Sequence, residues 1–135
     1  ELLAERGYLY SSSMKDCDWA YLWEKDGMEL PLVELPNDIT MDDFTYYYFT
    51  FSDPAVRCMY PNREVYGNWK QEFDALALEG NKIFILKLHP QMIGRASRIG
   101  MVGELIAYMQ DHGAWIATCE EVARYVQQQN GGNKA

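Results

Sequence analysis

The sequence predicts an α/β fold built from parallel βα units. In the second half of the chain, segments with helical spacing alternate with short apolar runs, in the order helix, strand, helix, strand, helix. The run Ile83–Leu88 is rich in β-forming residues and nearly all apolar, as expected for a strand covered on both faces. The length of 135 residues suits one domain, so residues 1–135 are assigned to a single domain.

The first half predicts short elements separated by polar loops. Residues Glu1–Gly7 have the pattern of the last turns of an amphipathic helix that a glycine closes. Strands are predicted at Tyr8–Tyr10 and at Met28–Leu35, with a turn at Lys25–Gly27 before the second. The other segments are the polar loops 11–18 and 36–43, and Phe44–Phe51, which fits a strand or irregular structure.

The second half carries the clearer helices. Pro61–Glu64 introduces the first of them, and Gly80 closes it. Ser97 or a neighbour opens the next helix, which ends at Gly113. The last part is predicted as a short strand at Trp115–Ala117, a capping box at Thr118–Glu121 that starts a helix, and a flexible polar tail at 127–135. One apolar stripe of the first helix recurs at helical spacing, at Val65, Trp69, Phe73 and Leu76.

Composition excludes some partners. The formal net charge of -8 argues against nucleic acid, because phosphate binding needs a basic face. Cys17, Cys58 and Cys119 are an odd, widely spaced set, which fits reduced thiols rather than a disulfide framework or a zinc knuckle. No apolar run is long enough to cross a membrane and no signal peptide is visible, so we expect no membrane partner. A cytoplasmic location is favoured, and the compartment stays open because the chain begins without a methionine.

Aromatic residues are abundant, with 10 Tyr, 4 Trp and 5 Phe. Packing in the core and at its rim is the simpler interpretation. The alternative is a carbohydrate-facing surface, because flat rings suit the faces of sugars. Tyr46–Tyr48 is the candidate for such a surface, since alternate residues of a strand point to opposite faces.

His89 is the main catalytic candidate. It follows directly on the Ile83–Leu88 run, and in α/β folds chemistry collects at the carboxyl ends of strands. An imidazole there can act as a general acid or base near neutral pH. Arg95 and Arg98 come just after it, and they are predicted either to be solvated or to clamp a substrate carbonyl or hydroxyl. His112 lies in a last helical turn, where a structural role is favoured.

Two acidic pairs are the remaining candidates, Asp16 with Asp18 and Asp42 with Asp43. Acidic residues in loops commonly act as solvated caps. If both loops lie near His89, these carboxylates are expected to position substrate or to polarise the imidazole. They are weak candidates for metal ligands on their own, because the chain has only 2 histidines, placed far apart.

Several stretches together resemble one known family. The strongest are Leu88–Pro90, Gly94–Ile99, Glu104–Tyr108 and Gly113–Ala123, and looser ones are Glu5–Ser12 with Asp16 and Asp18, and Leu35–Pro36 with Asp42, Asp43, Tyr46 and Tyr47. They resemble the C-terminal portion of the polysaccharide deacetylase family, the chitooligosaccharide deacetylase-like carbohydrate esterase family 4. The most similar branch contains peptidoglycan deacetylase-like and allantoinase-like members.

The resemblance implies the C-terminal portion of a distorted (β/α) barrel. It implies a hydrolase that removes acetyl groups from N-acetylated polysaccharide or peptidoglycan sugars with a divalent metal, zinc being favoured. His89 matches the histidine with which the family protonates the departing nitrogen. Hydrolysis of small cyclic amides or ureides is the alternative activity, and a non-catalytic carbohydrate-binding module is the alternative from another class.

The sequence also lacks several residues that are typical of this family. Its metal-binding aspartate and histidines, its catalytic base and its arginine motif would lie upstream of Glu1. We therefore expect the metal ligands to be outside this chain and the chain to be inactive alone. We also expect a missing N-terminal portion or a second chain, and self-association, because a partial barrel leaves open sheet edges.

Overall fold

The computed structural model describes residues 1–52 and 56–131, which form two compact units. The first comprises residues 1–37, 81–83 and the chain from 116 onward, and the second comprises residues 38–80 and 84–115. Helices are α1 (Leu2–Glu5), α2 (Asp43–Tyr47), α3 (Asn62–Glu79), α4 (Pro90–Ile93), α5 (Ala96–Asp111) and α6 (Cys119–Gly131), with a 3₁₀ turn at Ile39–Met41. Strands are β1 (Tyr10–Ser11), β2 (Tyr21–Lys25), β3 (Met28–Glu34), β4 (Phe49–Thr50) and β5 (Val56–Arg57).

The first unit is organised around β3. This strand pairs in parallel with β1 and antiparallel with β2, giving the order β1-β3-β2. Asp26 and Gly27 join β2 to β3 with φ of 53° and 76°, the positive values that a tight two-residue hairpin turn requires. The predicted strand at Met28–Leu35 and the turn before it are confirmed. The strand predicted at Tyr8–Tyr10 begins later, at Tyr10.

Helix α6 completes the first unit. Its start is the predicted capping box, in which the Glu121 N–H donates to Thr118 Oγ1 at 3.2 Å and the Thr118 N–H donates to Glu121 Oε2 at 2.7 Å. Ala123 is fully buried, with 0% of its surface exposed. The tail predicted at 127–135 is helical as far as Gly131, because α6 continues through the polar glutamines, and residues 132–135 lie outside the described part.

The second unit is built on α3 and α5. The predicted stripe of α3 is confirmed, since Val65, Trp69, Phe73 and Leu76 are its buried residues. The first three pack in one core cluster with Met101, Val102, Leu105 and Met109 of α5. Gly80 and Gly113 follow the two helices with φ of 72° and 81°, which a residue without a Cβ adopts at no steric cost.

The segment Phe44–Phe51, predicted as strand or irregular structure, is helical at its start and forms a strand only at Phe49–Thr50. The Asp42 carboxylate accepts the Phe44 N–H at 3.0 Å and so caps the start of α2. The helical turn buries Tyr46 and Tyr47 to 7% and 3% exposure. The predicted alternation of Tyr46–Tyr48, with a ring facing sugar, is therefore wrong for these two rings.

Two predicted strands do not form among the described residues. Ile83–Leu88 is extended but makes a single parallel bridge, from Lys87 to Asp42, and its side chains are only partly buried. Trp115–Ala117 makes no bridge, and Trp115 and Ile116 are 59% and 50% exposed. Apolar, β-branched composition favours an extended backbone, but a strand also needs a neighbour with which to pair. The barrel predicted for the chain is not seen, and the described part is a mixed α/β structure.

No helix among the described residues is long and apolar enough to cross a membrane. The assignment of residues 1–135 to one domain stays a prediction.

Candidate active site

His89 stands where the extended run meets a helix. Its backbone is extended, with φ −107° and ψ 122°, and Pro90 follows as the first residue of α4. Proline is favoured there because its missing N–H has no partner in a helix in any case. Gly94 ends this helical turn, and a Cβ at Gly94 would lie 2.4 Å from the Pro90 carbonyl oxygen. The local sequence therefore fixes the direction in which the chain leaves His89.

A backbone bridge brings the predicted acidic pair to His89. The Lys87 N–H donates to the Met41 carbonyl at 2.8 Å, and the Asp43 N–H donates to the Lys87 carbonyl at 3.1 Å. This parallel bridge holds Asp42 opposite Lys87. The start of α2 and the end of the extended run are thereby locked side by side.

Both carboxylate oxygens of Asp43 form hydrogen bonds with His89. Asp43 Oδ1 lies 2.6 Å from His89 Nδ1, and Asp43 Oδ2 accepts the His89 backbone N–H at 2.8 Å. The Asp43 side chain is completely buried, whereas that of His89 is 37% exposed. Because a carboxylate only accepts hydrogen bonds, Nδ1 carries the proton in this pair, and Nε2 is the nitrogen that is left for other chemistry.

Asp42 and Lys87 form an ion pair beside His89, which we call the Asp42–Lys87 pair. Lys87 Nζ lies 3.1 Å from Asp42 Oδ2, and Asp42 Oδ1 lies 3.7 Å from His89 Nδ1. The Asp42 side chain is 17% exposed and that of Lys87 31%. The Phe44 ring packs edge-on against the imidazole, with 4.2 Å between the ring centroids. The arrangement is suited to holding a proton on His89 in a fixed orientation.

The same three side chains are the ones that a metal ion would have to use. Ligand atoms of Asp42, Asp43 and His89 lie within 4.8 Å of one another. However, both Asp43 oxygens already accept hydrogen bonds from His89, and Nδ1 points its proton at one of them. A metal here would have to displace the bond between Nδ1 and Asp43 Oδ1. As arranged, Asp43 and His89 are hydrogen-bonded to each other rather than open to a metal ion.

The structure places the other predicted site residues as follows. Arg95 is exposed at the N-cap of α5. Arg98 is structural, because it donates to the Met92 carbonyl at 2.7 Å and lies 3.9 Å from the centre of the Tyr47 ring. Asp16 and Asp18 belong to the first unit, in the loop after β1, and their place near His89 stays a prediction.

Asp16 and His112 have local partners. Asp16 Oδ2 accepts the Tyr21 hydroxyl at 3.0 Å, and burial together with this hydrogen bond raises the pKa of Tyr21 above its ordinary value. His112 is exposed at the end of α5, with Nδ1 2.8 Å from the Tyr108 carbonyl oxygen. That position agrees with the structural role predicted for His112.

A buried carboxylate in the first unit was missed by the sequence analysis. Glu34 is 0% exposed, and its Oε1 accepts the N–H groups of Ser13 and Met14 at 2.7 and 2.8 Å. Trp23 Nε1–H donates to Oε2 at 2.9 Å. Burial raises the pKa of Glu34, but these hydrogen bonds outweigh it, so the pKa lies below its ordinary value. Glu34 thus holds the loop that carries Asp16 and Asp18.

Phe44 and Lys87 were also missed as neighbours of His89. The sequence offered one usable signal, an acidic residue that precedes a helical turn and so caps it. The sequence analysis assigns that residue, Asp42, to a polar loop.

Comparison with known proteins supports the family suggested by the sequence. No family model matches the chain, and no curated protein matches it. Among solved structures, a protein assigned as a polysaccharide deacetylase from Mycobacterium smegmatis is similar, with a TM-score of 0.83, 28% identity, and coverage of 96% of this chain and 44% of that one. A second, assigned as a polysaccharide deacetylase from Pseudomonas aeruginosa PAO1, has a TM-score of 0.78 and 26% identity over 95% of this chain and 42% of that one.

Puue allantoinase is also similar, with a TM-score of 0.74 and 24% identity over 91% of this chain and 40% of that one. At that identity the likeness concerns the fold alone. The predicted resemblance to polysaccharide deacetylases is confirmed. The chain spans less than half the length of each of these structures.

Proposed function

We propose that this chain contributes the proton-donating part of a hydrolase that cleaves C–N amide bonds, of the polysaccharide deacetylase type. The proposed substrate is the acetamide of an N-acetylated sugar in a polysaccharide or in peptidoglycan. The observation that carries the proposal is the contact between the half-exposed His89 ring and the fully buried Asp43 carboxylate, at 2.6 Å. The structural likeness to polysaccharide deacetylases supports the reaction class.

His89 acts as the general acid in this proposal. A base assigned to the part of the protein outside this chain takes a proton from water as the water adds to the amide carbonyl. The C–N bond then breaks, and the departing nitrogen takes a proton from Nε2 of the imidazolium. Acetate and a free amine are the products. Asp43 keeps Nδ1 protonated, holds the ring in place and stabilises the imidazolium, so the Nε2 proton is directed outward.

Substrate contacts are assigned to the other predicted residues. The exposed guanidinium of Arg95 is proposed to bind a substrate carbonyl or hydroxyl. Asp16 and Asp18 are proposed to contact sugar hydroxyls from the loop that Glu34 fixes, while Asp42 and Asp43 act through the imidazole. The divalent metal, zinc being favoured, is assigned to residues outside this chain, and the chain alone is expected to be inactive.

The extended run supports the need for a further polypeptide. Lys87 directs both its N–H and its C=O to the 41–43 segment. Within residues 1–52 and 56–131, Phe84, Leu86 and Leu88 make no backbone hydrogen bond, so they present an open edge on the opposite side. An N-terminal portion or a second chain is proposed to pair with this edge, and the isolated chain is proposed to self-associate through it.

The test is a substrate panel on the protein with any residues encoded upstream of Glu1, beside the isolated chain. We expect acetate release from N-acetylglucosamine oligomers or peptidoglycan by the longer protein and none by the isolated chain. Opening of a cyclic ureide without acetate release would favour the allantoinase-like alternative. Sugar binding by the longer protein without turnover of either substrate class would overturn the enzyme proposal in favour of a binding module.

A further inference from the structure

Lys87 and His89 share one face of the extended run. Residues two apart in an extended chain point to the same side. Both side chains meet Asp42, whose Oδ2 lies 3.1 Å from Lys87 Nζ and whose Oδ1 lies 3.7 Å from His89 Nδ1. One carboxylate therefore lies between a cation and a ring that titrates.

Asp42 acts on the ring through its charge rather than by a hydrogen bond. The separation of 3.7 Å exceeds hydrogen-bond length, and Nδ1 already points at Asp43 Oδ1, 2.6 Å away. Asp42 Oδ1 is also held by the Phe44 N–H at 3.0 Å, which keeps it from rotating toward the ring. With only 17% of its side chain exposed, Asp42 is partly shielded from solvent screening.

We propose that the Asp42–Lys87 pair sets how firmly the His89 ring holds its proton, with Lys87 as a positioning residue that acts through Asp42. The proposal deepens the proposed function of His89 and rests on it for its catalytic meaning. Asp42 favours the imidazolium, and Lys87 holds that influence in check by neutralising and orienting the carboxylate. The charged groups that face the ring among the described residues are Asp43, Asp42 and, through Asp42, Lys87, while Phe44 adds an apolar wall.

The chain allows a clean measurement, because it has only 2 histidines. The imidazole signals of His89 and His112 are followed by ¹⁵N NMR as the pH is changed, and a His112→Gln variant assigns them. His112 is the internal control, since its Nδ1 faces the Tyr108 carbonyl and its ring lies tilted against the Tyr108 ring, with centroids 4.0 Å apart. Its titration is expected to be the same in every variant of the pair.

The two single variants are expected to shift the His89 midpoint in opposite directions. Asp42→Asn removes a negative charge that lies 3.7 Å from Nδ1 and is expected to lower the midpoint, while asparagine still caps α2. Lys87→Met leaves the Asp42 charge uncompensated and raises the midpoint. Lys87→Arg keeps the charge and stays near wild type, and the double variant lies between the two single ones.

The outcomes separate this proposal from the proposed function. Shifts in the same direction for both single variants, or no shift in either while Asp43→Asn still alters the ring, would overturn the role of the pair. Those results leave His89 free to act as the acid. Conversely, opposite shifts without any effect of His89 substitution on turnover would support the pair and reject the proposed function. A ¹H–¹⁵N backbone spectrum confirms that each variant is folded.

Discussion

Within residues 1–52 and 56–131, two carboxylates are completely buried, and they have different kinds of partner. Glu34, in the first unit, accepts hydrogen bonds from two backbone N–H groups and an indole. Asp43, in the second, accepts both of its bonds from His89, one from the backbone and one from a ring that is partly exposed. The donors to Glu34 are two backbone N–H groups and an indole N–H, which stay uncharged near neutral pH. One of the two donors to Asp43 is an imidazole, a group that can gain a charge there.

The difference shows how burial alone can mislead. A buried acid whose donors are neutral and fixed organises the chain, and here it holds the loop at residues 12–18. A buried acid that hydrogen-bonds a titratable, accessible ring orients that ring and sets which of its nitrogens carries the proton, so it affects any molecule that the ring contacts. Glu34 is therefore interpreted as structural and Asp43 as part of the candidate chemistry, and the following substitutions test that division.

The largest expected effect is on turnover, from His89→Gln. In the protein that carries the complete machinery, loss of the general acid is expected to lower kcat by roughly 10²–10⁴-fold. Acetate release from an N-acetylated oligosaccharide is the measurement. His112→Gln is the matched control and is expected to leave the rate unchanged. A His89→Gln enzyme with wild-type turnover would remove this residue from the mechanism.

The next effect is expected from Asp43→Asn. The amide can still accept the His89 backbone N–H, but its NH₂ group then faces Nδ1 and forces the ring proton to Nε2. Turnover is expected to fall on the order of 10–100-fold, as for loss of a carboxylate that orients a functional imidazole. The imidazole ¹⁵N shifts report the tautomer directly. Glu34→Gln serves as the control, and a tautomer change in that variant would contradict the division between the two acids.

The smallest effect on chemistry, and a clear one on stability, is expected from Glu34→Gln. The NH₂ group of glutamine cannot accept, so at least one buried donor loses its partner, at a cost of about 1–3 kcal/mol in the free energy of unfolding. Because the folded-state pKa of Glu34 is lowered from 4.5, its stabilisation is present above about pH 4.5 and is lost as the pH falls through the folded-state pKa.

Urea unfolding at several pH values checks this expectation, since the variant should lose part of the stability gain that the wild type shows between acid and neutral pH. Glu121→Gln is the matched control. Glu121 is an exposed carboxylate that also accepts from a backbone N–H and a hydroxyl, and the N–H bond followed by the hydroxyl bond lowers its pKa. A larger loss of stability in Glu121→Gln than in Glu34→Gln would contradict the weight given to burial.

Local patterns predicted the three long helices, α3, α5 and α6. The α3 stripe follows from a spacing of three to four residues, and the capping box at Thr118 follows from two residues that bond each other. His89 was found as a candidate because its position after an apolar run is visible in the sequence. These features depend on neighbours within one helical turn or one strand.

The rest depends on contacts that the sequence does not display. Asp43 and His89 are 46 positions apart, so their pairing follows only from the bridge between Asp42 and Lys87. The run Ile83–Leu88 has the composition of a strand, yet strand formation requires a partner, and the described residues supply one rung. The aromatic residues after Asp42 favour a strand, but the Asp42 side chain caps a helical turn, and residues 43–47 form helix α2.

The bridge between Asp42 and Lys87 has one further consequence. Two tripeptides, 42–44 and 87–89, carry the His89 ring together with Asp42, Asp43, Phe44 and Lys87, and one rung aligns them. A slip by a single residue would turn Lys87 and His89 to the opposite side of the run and replace their acidic neighbours with other side chains. The register between the two segments therefore brings these side chains together. An insertion or deletion next to either tripeptide would separate them even if all six residues were kept.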